Sequence, residues 1–332
     1  MLSCIMRRMS VRLPIGNVEA LPECHASVPV PHAQIRLGAQ QITGQTMKTL
    51  LLASSALVMT AGVAAADISL SGSANMGLSY DGTETTVSNE IDFGINASGT
   101  TDSGIEFGAS IDLDAGHVDS ASTQDPGSFD PEVYISAGGL TLTVGAVDPA
   151  TDPFGIGDIG FLGLGVDDIG EKMAGFGVKG DADVLVEYTM GDYSFAASTD
   201  TSGTDFALAV SGTVGDLSFG IGYNEADLGM PASLELTWVD LSYTSGAYTV
   251  GAFYAHGLAP WSGATTDDYG LEGSYAAGDL TISVAYAYDD LSGTDAYGIG
   301  AAYDLGSGLG VAGGVADVAG TTVADFGVTM SF

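Results

Sequence analysis

The chain has 332 residues, of which 49 are glycine, 45% are hydrophobic and only 15% are charged, with 42 acidic against 7 basic residues and a formal net charge of −35. So negative a surface repels nucleic acid and anionic lipid headgroups and attracts cations. Abundant glycine with few charges describes a repetitive β protein, against the two soluble domains that length alone would suggest.

Residues 1–46 hold Arg7, Arg8, Arg12 and Arg36, several prolines and no periodic pattern, which reads as an extended leader or as a start assigned too early with Met47 the true initiator. From Met47 and Lys48 the sequence enters an apolar, small-residue run that closes on Ala64-Ala65-Ala66. That is the pattern of a secretory signal peptide over 47–66, cleaved between Ala66 and Asp67. A single membrane anchor is the alternative, but the run ends in small residues without a basic stop-transfer flank.

Removing this leader takes away Cys4 and Cys24, five of the 7 basic residues and two of the 42 acids, leaving 2 basic, 40 acidic and a formal charge of −38 over 67–332. No disulfide or thiolate metal site is possible in that part. Lys172 and Lys179 are its only basic side chains apart from histidine, and no arginine follows Arg36.

From Ile68 to Tyr80 every even position is Ile, Leu, Gly, Ala, Met, Leu or Tyr, and the odd positions are Ser, Asn or Gly. One greasy and one wet face make a long strand. Reading parity onward gives strands carrying Ile91–Ala97, Ile105–Leu113, Val133–Ala137 and Leu140–Ala146. After a long break come Val184–Tyr188, Tyr193–Ala197, Phe206–Val210, Leu217–Tyr223 and Leu234–Tyr243. Then follow Tyr248–Tyr254, Tyr269–Tyr275, Leu280–Tyr288, Tyr297–Tyr303, Leu309–Val315 and a last strand ending at Phe332. The phase switches near Trp238 and Val239, which predicts a bulge there. The total is 16 strands, an even number that suits a closed transmembrane barrel with a wet lumen.

Short links such as Gly138-Gly139, Gly191-Asp192, Gly215-Asp216 and Gly278-Asp279 alternate with longer segments such as 115–131 and 255–267. That predicts an up-and-down meander with short turns on one rim and long loops on the other. Tyrosines near strand ends fit interfacial girdles, although tyrosine favours strands anywhere. A secreted β-roll would also be rich in Gly and Asp, but no G-G-x-G-x-D repeat occurs. His117 and His256 fall in predicted loops, and no Cys-His pair or histidine cluster exists, so no enzyme is expected; a hydrolase built on His256 and Ser262 has no motif behind it.

The stretch Gly99-Thr100-Thr101-Asp102-Ser103-Gly104-Ile105-Glu106-Phe107-Gly108-Ala109-Ser110 resembles the second short turn and third strand of Rhodobacter-type general diffusion porins. Tyr297–Gly306 and Gly313–Asp317 resemble that family's final hairpins, and with Ser69–Gly72 and Phe332 the resemblance spans 67–332.

The resemblance implies an all-β, 16-stranded antiparallel up-and-down transmembrane β-barrel in the outer membrane of a Gram-negative bacterium, exported by the general secretory pathway. It implies a homotrimer in contact with outer-membrane lipid and lipopolysaccharide, inserted by the barrel-assembly machinery through a C-terminal strand signalled by Phe332. It also implies a long third loop folded inward, here 147–182, carrying Asp148, Asp152, Asp158, Asp167, Asp168, Glu171, Asp181, Lys172 and Lys179. Related porins set arginines on the opposite wall; here the inward positions include Glu90, Asp92, Asn96, Glu106 and Asp112.

Acids on both sides predict passage of cations and small hydrophilic solutes in preference to anions, with no cofactor beyond calcium at the acidic loop clusters. The alternative is a structural or adhesive barrel with a plugged lumen.

Overall fold

A computed structural model describes residues 67–118, 129–171, 182–227, 229, 233–259 and 262–332. The leader, the signal segment with Ala66, and Lys172, Lys179 and Asp181 lie outside the described residues.

Sixteen strands form one closed antiparallel barrel in sequence order. The first five are β1 (Asp67–Tyr80), β2 (Thr85–Thr100), β3 (Glu106–Val118), β4 (Phe129–Ala137) and β5 (Leu140–Val147). After the third loop and its one-turn helix α1 (Asp167–Gly170) come β6 (Ala182–Met190), β7 (Tyr193–Thr199), β8 (Phe206–Val214), β9 (Leu217–Ala226) and β10 (Leu234–Ser245). The rest are β11 (Tyr248–Ala259), β12 (Ala264–Ala277), β13 (Leu280–Asp289), β14 (Thr294–Gly306), β15 (Leu309–Val318) and β16 (Thr321–Ser331). Each parity set read from the sequence falls in its own strand, with only Ile105 and Phe332 one residue beyond β3 and β16.

The barrel closes where β1 pairs with β16, from Ser73 opposite Ser331 to Tyr80 opposite Ala324. Phe332 extends the seam by exchanging two backbone hydrogen bonds of 2.9 Å with Gly72. Its ring lies 5.9 Å from that of Phe93, and a Cβ on Gly72 would come within 2.5 Å of it, so a side chain there would displace the Phe332 ring. The β4–β5 hairpin turns on Gly138 and Gly139, with φ of 61° and 86°, a left-handed pair that glycine adopts without strain.

Burial is inverted relative to a water-soluble protein. Outward Leu70 is 76% exposed, whereas inward Leu234 and Trp238 are 0% and 1% exposed. Leaving each such outward Val, Leu, Ile or Phe in water forfeits about 1.5–3 kcal/mol of burial, repeated around the whole circumference. Hydrocarbon removes that penalty, and a closed ladder leaves no backbone edge unpaired within it. Among the described residues no helix is long and apolar enough to cross a membrane; the strands are the crossing elements.

Three expectations are corrected. β10 carries no bulge: its registers with β9 and β11 run without a shift. The phase switch marks a change of apolar face, since Leu234, Leu236 and Trp238 are buried on the inside while Leu241 and Tyr243 are exposed outside. Register shifts occur instead at Val144/Val147 and Asp304/Gly306.

Second, the link 255–267 is short, because β11 runs to Ala259 and β12 begins at Ala264. Third, both histidines lie in strands, His117 in β3 and His256 in β11. At this rim the outward residues of β11 and β12 turn polar, which breaks the apolar alternation although backbone pairing continues.

Candidate pore constriction

The chain leaves β5 at Val147 and folds into the lumen. Tight local bonds shape the entry: the Asp152 N–H donates to Pro149 O at 2.8 Å and the Phe154 N–H to Thr151 O at 3.1 Å. The apolar residues that the sequence strings between acids, including Phe154, Ile156, Ile159, Leu164, Val166 and Ile169, are buried. They join inward Leu234, Leu236, Trp238, Phe253 and a row of alanines in one core between loop and wall. The wall is recessed to receive them: a Cβ on Gly220 or Gly222 would meet the Phe154 ring at 2.4 or 2.3 Å.

Wall side chains hold the loop's backbone. Ser198 Oγ accepts from the Ala150 N–H at 2.9 Å, Asp240 from Gly155 at 3.2 Å and Glu272 from Gly157 at 2.9 Å. Asp325 Oδ2 accepts from both Phe161 and Leu162, at 2.8 and 2.7 Å. The loop satisfies its amides on wall carboxylates while its apolar side chains leave water.

The loop's acids divide. Asp158, Asp167, Asp168 and Glu171 cluster around α1, and Glu171 Oε1 accepts from the Ile156 N–H at 3.0 Å. Burial first, then the charges of Asp158, Asp168 and Glu171, push the Asp167 carboxyl up to about 7. Asp152 is half-buried in the entry turn.

Asp148, just past the end of β5, shares with β1–β4 an open recess of about 500 Å³ whose lining includes Asp92, Asn96, Asp112, Asp130 and Glu132. On that wall Ser73 donates to Asp92 at 2.6 Å and Ser110 to Glu132 at 3.3 Å. Asp112 lies directly across from Asp130 in the β3–β4 register, a like-charged pair on one face. No basic side chain is among the described residues lining the recess.

Of the wall positions expected from sequence, Asp92, Asn96 and Asp112 come together with Asp148. Glu90 accepts instead from Asn75 Nδ2 at 3.0 Å, and Glu106 pairs with Thr100 and Ser136 beside the short-turn rim, outside the recess lining. Sequence reading missed Asp130 and Glu132 because Pro131 obscured the start of β4. Carrying the outward set Val133, Ile135 back through Pro131 and Phe129 would have found them. It also missed Asp240, Glu272 and Asp325, inward acids whose partners lie far along the chain.

Among the described residues no group of three or more His, Cys, Asp or Glu is arranged to hold a metal ion. His256 does not serve Ser262: its Nδ1 lies 2.8 Å from Asp267 Oδ1, while Ser262 Oγ contacts Ala259 O at 3.5 Å.

A closed 16-stranded barrel with an apolar exterior, a polar lumen and an inserted loop defines a transmembrane pore protein. The Gram-negative porin family matches residues 53–322. The chain is 30% identical over 310 residues to a porin of Rhodobacter capsulatus and 28% identical over 298 residues to a porin of Fuscovulum blasticum, covering 80% of this chain and 100% of each relative. A solved mutant of Rh. blastica porin superposes with a TM-score of 0.66 at 26% identity, again covering 80% of this chain and all of that one. This chain belongs to the Gram-negative porin family. It is an integral outer-membrane porin, a channel and not an enzyme.

Proposed function

We propose that this porin passes ions and small hydrophilic solutes by passive diffusion and strongly prefers cations. The observation that carries this reading is the recess that Asp92, Asp112, Asp130 and Glu132 line together with Asp148, with no basic side chain among the described lining. One unit charge at 4 Å contributes about 1 kcal/mol even at the dielectric of bulk water. Several carboxylates within a Debye length of about 8 Å therefore favour a cation and disfavour an anion by more than thermal energy. Reversal potential across a planar bilayer in a KCl gradient tests it; an anion-selective value refutes it.

We further infer that the porin is a homotrimer whose copies meet through the sector from β15 through β16 and β1 to β5. Exposed outward tyrosines such as Tyr188, Tyr243, Tyr275 and Tyr297 sit on β6–β14, whereas this sector carries Tyr80 alone, at the rim, and otherwise Phe93, Phe107, Phe129, Phe326 and the terminal Phe332. A phenol needs a wet neighbour and marks headgroup level, whereas phenylalanine does not. Export through residues 47–66 with cleavage at Ala66–Asp67, contact with lipopolysaccharide on the tyrosine-bearing sector, and recognition of Phe332 by the assembly machinery complete the reading. Mature protein whose first residue is not Asp67 would refute the cleavage site.

A further inference from the structure

The apex of the third loop, Gly160-Phe161-Leu162, sits where the barrel closes. The seam pairs Gly77 with Gly327 and Ser79 with Asp325. The Phe161 ring lies over both glycines: a Cβ on Gly77 would meet it at 2.3 Å and one on Gly327 at 2.2 Å. Neighbouring strands make the same allowance, since a Cβ on Gly300 of β14 would come 2.4 Å from Gly160 N and one on Gly314 of β15 would come 3.1 Å from Gly160 Cα. Two N–H groups, of Phe161 and Leu162, converge on the single oxygen Oδ2 of Asp325, which is 7% exposed. Its Oδ1 has no hydrogen-bond partner and lies against Gly160, 2.6 Å from where a Cβ would stand.

This socket is assembled from the first and last strands, so it exists only once β1 and β16 have paired. Leaving a buried carboxylate oxygen without a partner is unfavourable. The geometry persists because the other oxygen satisfies two backbone donors at once.

We propose that Asp325 is the positioning residue of the constriction: it pins the loop apex across the β1–β16 seam, so that barrel closure sets the calibre of the pore. This goes beyond the selectivity assigned above and rests on the pore reading only through conductance. Asp325→Asn keeps an oxygen for both N–H groups, while Asp325→Ala keeps none.

The test uses mature protein purified from outer membranes, whose residues 67–332 hold no native cysteine, carrying Val166→Cys, because Val166 is 1% exposed between loop and wall. Single-channel conductance and labelling by a membrane-impermeant thiol reagent are read together. With Asp325→Ala, conductance rises and Cys labelling appears; with Asp325→Asn, both stay at the parental level. Phe161→Ala, which empties the seat without altering a strand, behaves like Asp325→Ala and decides the matter if that variant does not fold. Parental conductance and a protected Cys in Asp325→Ala, or in Phe161→Ala, overturn the proposal. So does an Asn variant as open as the Ala one, which would assign the effect to charge. A parental protein that does not conduct counts against the pore reading, and labelling still decides the latch.

Discussion

The indole N–H of Trp238 donates to Asn224 Oδ1 at 2.7 Å, and both side chains are sealed from solvent. The two stand on the inner face of β10 and β9, at the floor of the core that the third loop covers, with the Trp238 ring 6.2 Å from that of Phe253. Replacing Asn224 with leucine strands a buried N–H donor. The expected loss is about 1–3 kcal/mol, read as a lower midpoint in urea unfolding from vesicles; an unchanged midpoint would show that the indole finds another acceptor.

Neutralising the wall should lower selectivity without closing the pore. Asp130→Asn with Glu132→Gln is expected to bring the reversal potential in a KCl gradient toward zero, whereas Glu106→Gln, outside the recess lining, moves it much less. Equal effects of the two variants would place the selective site elsewhere.

Asp167 supplies a pH dependence. Its carboxyl titrates at about 7 in the folded protein against 3.8 for an ordinary aspartate, so the folded form holds its proton more tightly. Its contribution to stability is therefore fully present below about 4 and is lost as pH rises through about 7. Going from pH 5 to pH 8, the parent should lose more thermal stability than Asp167→Asn. Cation preference should also strengthen through the same range in the parent as the charge appears, and that step should vanish in the variant.

The two faces of a strand answer differently to one substitution. Leu271 lies outward in the middle of β12, and Leu271→Arg is expected to cost about 2–4 kcal/mol of folding free energy, as for a basic residue near the bilayer midplane. Ser110→Arg, on the recess wall, should fold nearly as well and shift the channel toward anions. Stability measurements on both variants beside ion selectivity separate lipid from lumen.

The tyrosine-poor sector makes a prediction about assembly. Val133 is exposed on the outer face of β4, and Val133→Arg should dissociate the trimer in unheated detergent electrophoresis, while the folded Leu271→Arg barrel remains trimeric. A trimer indifferent to Val133→Arg would put the contact on another sector.

What the sequence determined alone was the wall. A strand between hydrocarbon and water must alternate with period two, so Ile68 through Tyr80 and their fifteen successors announce themselves, and glycine pairs such as Gly138-Gly139 place the turns. The rule holds only where one face meets lipid and the other meets water. Where the loop covers the inside, as at Leu234, Leu236 and Trp238, the wet face becomes apolar and local pattern imitates a bulge.

Tertiary structure decided the rest. Asp325 meets Phe161 across 164 positions and Glu272 meets Gly157 across 115, and nothing in their immediate sequence distinguishes these carboxylates from the many that face water. Which acids hold the loop and which line the pore depends on where residues 147–171 lie inside a closed barrel, a long-range packing outcome that strand periodicity does not encode.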